Sequence, residues 1–257
     1  MIVTTAGRTN EQMIQIAMKI ADDLGYPYYH RNKKSIATIS SEMQQDIFVI
    51  GKSRFEWYCL GKDEPIFFHP NTAVFRAKRW QNGEVEPFLQ ATDLKEGMKF
   101  LDCTLGLASD SIMASMATGP NGQVVGIEGS KMMAYLVKTG LKNWESEMVE
   151  MNEAMKRIEV LHGNHQKILS TLPDNSFDVV YFDPMFHHLL EESNGIAPLR
   201  NIAVYDELTE KVINDAMRVA RHRVVLKDHW QSKRFDQFGF FVCKRKTAKF
   251  HYGYLKT

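Results

Sequence analysis

Asp183, Pro184, Met185 and Phe186 follow an apolar run, Phe177-Asp178-Val179-Val180-Tyr181-Phe182, that predicts a buried strand, so the four residues stand at a strand's carboxyl end. Open α/β sheets hold their ligands at that end. A carboxylate, a rigid proline and an aromatic ring in this order can grip a planar base amine. The carboxylate and a nearby backbone carbonyl accept the amine hydrogens, and the ring stacks on the base. Asp-Pro also begins ordinary turns, so the tetrapeptide takes its meaning from what precedes it.

Three further strand tips precede it. The first ends Phe100-Leu101-Asp102-Cys103-Thr104-Leu105-Gly106-Leu107-Ala108-Ser109-Asp110: an apolar strand, an acid at its tip, a glycine turn and then a helix. That order makes a nucleotide-binding entrance. A dinucleotide fingerprint needs three glycines, one of which lets the backbone approach a pyrophosphate. Gly106 alone is present, which disfavours a pyrophosphate and is compatible with S-adenosylmethionine, which has none. The second strand ends Val124-Val125-Gly126-Ile127-Glu128. An acid at this tip, about 20 residues past the turn, can accept hydrogen bonds from both ribose hydroxyls. An ordinary surface glutamate is the alternative. The third ends Leu161-His162-Gly163-Asn164, and Asn164 has the groups to hydrogen-bond an adenine edge.

The elements that must carry these tips are read from periodicity. After residue 92, strand candidates (Lys99 to Cys103, Gln123 to Glu128, Arg157 to Leu161, Phe177 to Asp183, Arg223 to Lys227) alternate with helical stretches (Leu107 to Thr118, Lys131 to Asn143, His165 to Leu172, Asp206 to Ala220). Such alternation specifies an α/β fold with a mostly parallel sheet covered on both faces. Phe238 to Cys243 and Thr247 to Tyr254 predict an antiparallel hairpin that closes the sheet. Residues 1–92 read differently, as a small α+β region that is a candidate for substrate recognition. Thr9-Asn10-Glu11-Gln12 starts a helix with Met13, Ile16, Ala17, Ile20 and Leu24 on one face. Ile47 to Ile50, Trp57 to Leu60 and Ile66 to Phe68 predict short strands. The expected division is therefore 1–92 and 93–257.

The chain's 257 residues can bury a sizeable core, and its 44% hydrophobic and 25% charged residues are ordinary for a soluble protein. No leader-like or membrane-length apolar stretch is evident, so a cytoplasmic location is expected. Cys59, Cys103 and Cys243 have neither zinc-site nor disulfide spacing, and no metal is expected. Net charge is +1, but basic residues gather at Arg31/Lys33/Lys34, at Arg76/Lys78/Arg79 beside Trp80, and at Lys244/Arg245/Lys246/Lys249, with Phe75, Phe250, Tyr252 and Tyr254 among or next to the last two groups. Such clusters suit single-stranded nucleic acid, although solvated strand edges and loops are the commoner origin of any one of them.

Strand tips in this order resemble the class I S-adenosylmethionine-dependent methyltransferases over residues 98 to 186. Narrower still, Asp102 to Asp110 together with Tyr181-Phe182-Asp183-Pro184-Met185-Phe186 resembles the bacterial small-subunit ribosomal RNA guanine-N2 methyltransferases. That likeness implies a seven-stranded, Rossmann-like, mostly parallel sheet and an enzyme (EC 2.1.1.-) using S-adenosylmethionine as cofactor. By analogy, Asp102 and Gly106 flank the methionine part of the cofactor, Glu128 the ribose and Asn164 the adenine, and Thr104, Gly129 and Asp183 are further implied cofactor-binding residues. Asp183, Pro184 and Phe186 are the implied catalytic residues. Ala108 stands where a further glycine is usual, Asn164 where aspartate is commoner, Ser109 where the narrower family has arginine, and His187 where a second proline often follows. The implied partner is nucleic acid, ribosomal RNA foremost, methylated on an exocyclic amine.

Other readings remain open from sequence: an adenine methyltransferase acting on DNA or RNA, a nicotinamide-dependent oxidoreductase, or a noncatalytic RNA-binding protein on a methyltransferase fold. The missing glycines oppose the oxidoreductase, and the joint presence of Glu128 and Asp183 opposes a decayed enzyme. His187 and His188 are adjacent, so they point apart rather than forming a metal pair. The His187 to Tyr205 segment is long enough to be a lid or a short helix. Cys103 reads as a core filler, and Met148, Met151 and Met155, at helical spacing, as packing residues.

Overall fold

The computed structural model describes residues 1–184 and 208–257. These form two compact units, Met1–Phe68 and the described residues from His69 onward. In the first, β1 (Ile2–Thr5), α1 (Glu11–Leu24), α2 (Ile36–Met43), β2 (Ile47–Ile50) and β3 (Phe55–Tyr58) make a three-stranded sheet in the order β1-β2-β3, with β1 and β2 parallel. Asn10 caps α1 by accepting from the Met13 amide, and Gly25 ends it in the left-handed conformation, where a side chain would be strained. β1 is fully buried and short, so its four residues carry no alternation from which to read it. Ile66 contributes only an isolated bridge to Trp57.

The second unit holds α3 (Asn71–Gln81), α4 (Pro87–Thr92), β4 (Lys99–Asp102), α5 (Ser109–Thr118), β5 (Gln123–Glu128), α6 (Lys131–Asn143), α7 (Val149–Arg157), β6 (Glu159–His162), α8 (His165–Thr171), β7 (Phe177–Phe182), α9 (Glu210–Val219), β8 (Ala220–His229), α10 (Arg234–Gln237), β9 (Phe241–Cys243) and β10 (Phe250–Lys256). Its strands form a seven-stranded sheet in the order β6-β5-β4-β7-β8-β10-β9. β4 to β8 are parallel, and β10 runs antiparallel to β8 and β9. The mixed α/β sheet with its closing antiparallel hairpin matches the expectation from sequence. Residues 71–92, grouped from sequence with the first region and not expected to be helical, form α3 and α4 of this unit, and their apolar faces are buried. Ala73, Ala77, Phe88 and Ala91 are inaccessible, and the Phe88 ring packs edge-on against Phe100 and Tyr181 at 5.7 and 5.2 Å.

Both faces of the sheet are covered, as near-continuous apolar strands require. Leu101, Val125, Ile127, Val180, Phe182, Val224 and Leu226 share one core with Leu169 of α8 and Val212, Ile213, Ala216 and Val219 of α9. Phe100, Tyr181 and Tyr252 turn to the other face, around Phe88. The helix α7 escaped a sequence reading of elements, although its buried Met151 and Met155 fit the packing role expected of them. Cys103 is buried in the first core, and burial pushes its thiol well up, as suits a filler rather than a nucleophile.

Gly126, in the middle of β5, admits the turn after β4. A Cβ there would lie 2.3 Å from Leu105 Cδ1, and Leu105 is itself buried with its amide on the Ile127 carbonyl at 3.0 Å. Gly126→Ala therefore overpacks the point where the turn seats on the sheet, and the expected loss is about 1–3 kcal/mol of stability in a urea titration. An unchanged unfolding midpoint would show that the turn has slack to move.

Candidate active site

The chain order places β4 beside β7, while β5 and β6 lie on β4's other side. The crevice above β4 and β7 is thus the switch point at which open α/β sheets bind ligands. Asp102 pairs in register with Gly126 and with Tyr181, and Glu128 with His162, so the tips of β4, β5, β6 and β7 open on one edge.

At the first tip, Asp102 is buried. Its Oδ1 accepts from the Thr104 amide at 2.9 Å and hydroxyl at 3.4 Å, and its Oδ2 accepts from Ser111 Oγ at 2.7 Å. Burial, opposed by those hydrogen bonds and reinforced by Asp110 and Asp183, pushes its carboxyl up to about 7. The turn continues through Gly106 and Ala108, both left-handed with φ 50° and 62°. Ala108 adopts at some cost the conformation a glycine takes freely. The space a Cβ would occupy at Gly106 is open apart from the Thr104 carbonyl oxygen at 4.0 Å.

Glu128 closes this turn from the neighbouring strand. Its Oε2 accepts from the Gly106 amide at 3.2 Å and its Oε1 from the Ser130 amide at 2.9 Å. Burial raises its carboxyl, and the amides of Ser130, Gly106 and Gly129 pull it back. Its oxygens have lone pairs to spare for hydroxyl donors. Asn164, half-buried at the third tip, uses Oδ1 to cap α8 by accepting from the Lys167 amide at 3.0 Å. An adenine contact would fall to the rest of that side chain. The donor set suits a neutral ribose and an amino acid rather than a phosphate. The first turn of α5, where a pyrophosphate would be received, holds the buried carboxylate of Asp110.

At the fourth tip, the Asp183 amide donates to Thr104 Oγ1 at 2.6 Å, and Asp183 Oδ2 accepts from Lys227 Nζ at 2.5 Å. The Asp183 side chain is 27% exposed, against 8% for Asp110 and 10% for Glu86. Pro184 is half-buried beside it, while Phe186, His187 and His188 lie outside the described residues. Lys227 also donates to Asp110 Oδ2 at 3.3 Å. Asp110 accepts in addition from Tyr181 OH at 2.8 Å and Arg76 Nη1 at 2.6 Å, and Arg76 reaches Glu86 at 2.8 Å. Charges alternate along Glu86, Arg76, Asp110, Lys227 and Asp183. Burial works to raise the Asp110 carboxyl, but the Lys227 ammonium and the Arg76 guanidinium outweigh it and hold it below the usual carboxylate range. For Asp183 burial wins and its carboxyl stands above the ordinary value, with Lys227 opposing and Asp110 adding. Lys227 is drawn upward by Asp110 and Asp183 against the effect of burial.

Asp102, Thr104, Gly106, Glu128, Gly129, Asn164, Asp183 and Pro184 therefore occupy one edge of one sheet, at adjacent strand tips. Sequence reasoning missed Arg76 as an internal residue and Lys227 as a partner of Asp183. A usable signal existed for Lys227, a lone cation at the end of the apolar run Val224-Val225-Leu226. Arg76 was read with its basic cluster as a nucleic-acid candidate, and its burial between Glu86 and Asp110 corrects that. Among the described residues, no cluster has the makings of a metal site and no helix is long and apolar enough to cross a membrane.

Over its full length the chain is 53% identical to YpiP of Bacillus subtilis (strain 168), an uncharacterized protein of which it covers 99%. Over 165 residues it is 27% identical to the ribosomal RNA small subunit methyltransferase J of Shewanella sp. (strain ANA-3), spanning 60% of each chain. To the protein of that name from Coxiella burnetii (strain RSA 331 / Henzerling II) it is 32% identical over 133 residues, spanning 49% of this chain and 48% of that one. The crystal structure of a SAM-dependent methyltransferase from Neisseria gonorrhoeae shares the fold at a TM-score of 0.61 and 15% identity, covering all of this chain and 96% of the other. The family model of SAM-dependent methyltransferases matches residues 31–251, and the chain belongs to that family.

Proposed function

We propose that the chain methylates an exocyclic amine of a nucleic-acid base, with N2 of a guanine in ribosomal RNA as the acceptor, in the cytoplasm. The observation that carries this reading is the placement of Asp183: at the tip of β7, across the switch point from the Gly106 turn, its backbone held by Thr104 and one carboxylate oxygen held by Lys227. The relatives named as ribosomal RNA methyltransferases, and the likeness of the Asp102 to Asp110 and Asp183-Pro184-Met185-Phe186 motifs to guanine-N2 enzymes, support the base and the RNA.

In this reading Asp102, Thr104, Gly106, Glu128, Gly129 and Asn164 hold S-adenosylmethionine, with Glu128 on the ribose hydroxyls. The cofactor supplies an electrophilic methyl group bonded to a sulfonium. The chain's own residues supply alignment, which is worth ~7–11 kcal/mol when reacting atoms are well placed. An exocyclic amine is a poor nucleophile because its lone pair is delocalised into the ring. With Oδ2 committed to Lys227, Asp183 Oδ1 and the Pro184 carbonyl accept the two amine hydrogens and direct the lone pair. Phe186 stacks on the base. The proton the amine loses on methylation passes to Asp183, directly or through a water. A base paired within a helix is first turned out of the stack.

Nucleoside mass spectrometry of ribosomal and transfer RNA from cells with and without the gene tests the acceptor. A methylated guanosine missing from ribosomal RNA of the deleted strain is expected, and a change confined to DNA would overturn the reading. Replacing Asp183 by alanine should lower the methyl-transfer rate about 10²–10⁴-fold, with affinity for S-adenosylmethionine, measured by calorimetry, staying close to wild type. A large loss of affinity would instead make Asp183 a cofactor residue.

Lys227 sets the pH range of the same step. Asp183 must be ionised to accept the proton, so activity falls as pH drops through its pKa. Lys227→Met leaves Asp183 beside the carboxylates of Asp110 and Asp102, and its pKa rises further. The acid limb of the kcat profile should move to higher pH by about one unit or more, and Lys227→Arg should restore most of the shift. An unmoved limb would remove Lys227 from the mechanism.

A further inference from the structure

The three basic clusters of the sequence meet different fates. Arg31 donates to the Lys34 and Thr5 carbonyls, and Lys34 pairs with Glu42. Arg76 is buried between Glu86 and Asp110, and Arg79 pairs with Glu84. The third cluster is placed otherwise. Residues 229–257 contain seven lysines and arginines against a single acid, Asp236, in a chain whose net charge is only +1. Lys244, Lys246 and Lys249 are exposed.

Topology brings that cluster to the candidate active site. β8 runs parallel to β7 and so ends, at His229, on the same edge as Asp183. β10 runs back from Phe250, which pairs with His229, and β9 ends at Cys243, which pairs with Tyr252. The connection 244–249 must therefore lie on this edge. Trp230, 52% exposed, leaves the sheet at the same place, and its amide donates to the Lys249 carbonyl at 3.2 Å. The Phe250 ring bridges site and cluster, with Lys227 Nζ 5.1 Å and Arg245 Cζ 5.0 Å from its centroid.

We propose that Trp230, Lys244, Arg245 and Lys246 form the docking surface for the single-stranded RNA segment next to the acceptor base. The basic side chains meet backbone phosphates, and the exposed indole stacks on a neighbouring base. This rests on the reading of Asp183 as the acceptor end, and it names the edge from which the RNA enters.

The test is fluorescence anisotropy with a labelled single-stranded RNA of about 12 nucleotides, within the footprint such surfaces cover, against DNA of the same sequence and against duplex RNA. K244E/R245E/K246E should weaken RNA binding at least tenfold and reduce the slope of log affinity on log salt by about 2, since each phosphate contact on a single strand contributes about 0.7. Trp230→Ala should weaken binding severalfold with the slope nearly unchanged. K138E/K142E, on α6, controls for net charge and should change affinity less than twofold. Calorimetry with S-adenosylmethionine should be unaffected in every variant, which shows the fold intact. No RNA binding by the wild type, equal binding by the triple variant, an equal loss in the α6 control, or a preference for DNA or duplex would overturn the proposal. RNA binding through this edge without methyl transfer would uphold the surface and sink the acceptor reading instead.

Discussion

The carboxylate of Asp110 is the group around which the catalytic half of the molecule is organised. It sits in the first turn of α5, and receives the Arg76 guanidinium from α3, the Tyr181 hydroxyl from β7 and the Lys227 ammonium from β8. Four elements thereby converge on two oxygens. Removing one partner of such a buried pair costs roughly 3–5 kcal/mol, because the other charge is left without compensation. Replacing both Asp110 and Lys227 by apolar side chains would avoid that unpaired charge but leave Asp183 with no counter-ion. The alternation from Glu86 to Asp183 lets a sheet edge hold three acids in little space, with two cations between them. The most exposed of the three stands at the end of the row, where the proposed acceptor amine arrives.

Much of this was legible in the chain. The apolar strands, the acids at their tips and the single glycine turn predicted both the sheet and the edge on which Asp102, Glu128 and Asp183 meet. These residues are readable because a buried strand is a continuous apolar run, and a charged residue ending one stands out against it. The closing hairpin was readable for the same reason. What the sequence hid were pairings across long separations. Arg76 and Asp110 are 34 residues apart and Lys227 and Asp183 are 44 apart, and no local pattern records either pair. The Arg76/Lys78/Arg79 cluster reads as basic and solvent-facing, yet Arg76 turns inward. β1 has too few residues for a periodicity to show.

The roles of single side chains are also less separate than motifs make them. Glu128, the expected ribose residue, spends hydrogen bonds on the Gly106 and Ser130 amides and so shapes the turn it faces. Asn164 caps the helix that follows it. Such residues build the edge of the sheet before they touch any ligand, and a substitution at either one alters the backbone as well as a contact.

Thr104 gives this its sharpest form. One hydroxyl accepts the Asp183 amide and reaches Asp102, so the strand tip proposed for the cofactor and the strand tip proposed for the acceptor are pinned to one atom. Two ligands bound on either side of a shared pin report to each other. Whatever free energy one gains by drawing Thr104 toward it, the other feels with equal size, since coupling between two binding events is reciprocal. Where both ligands draw on Thr104, a single threonine side chain sets how strongly each favours the other, in whichever order they arrive.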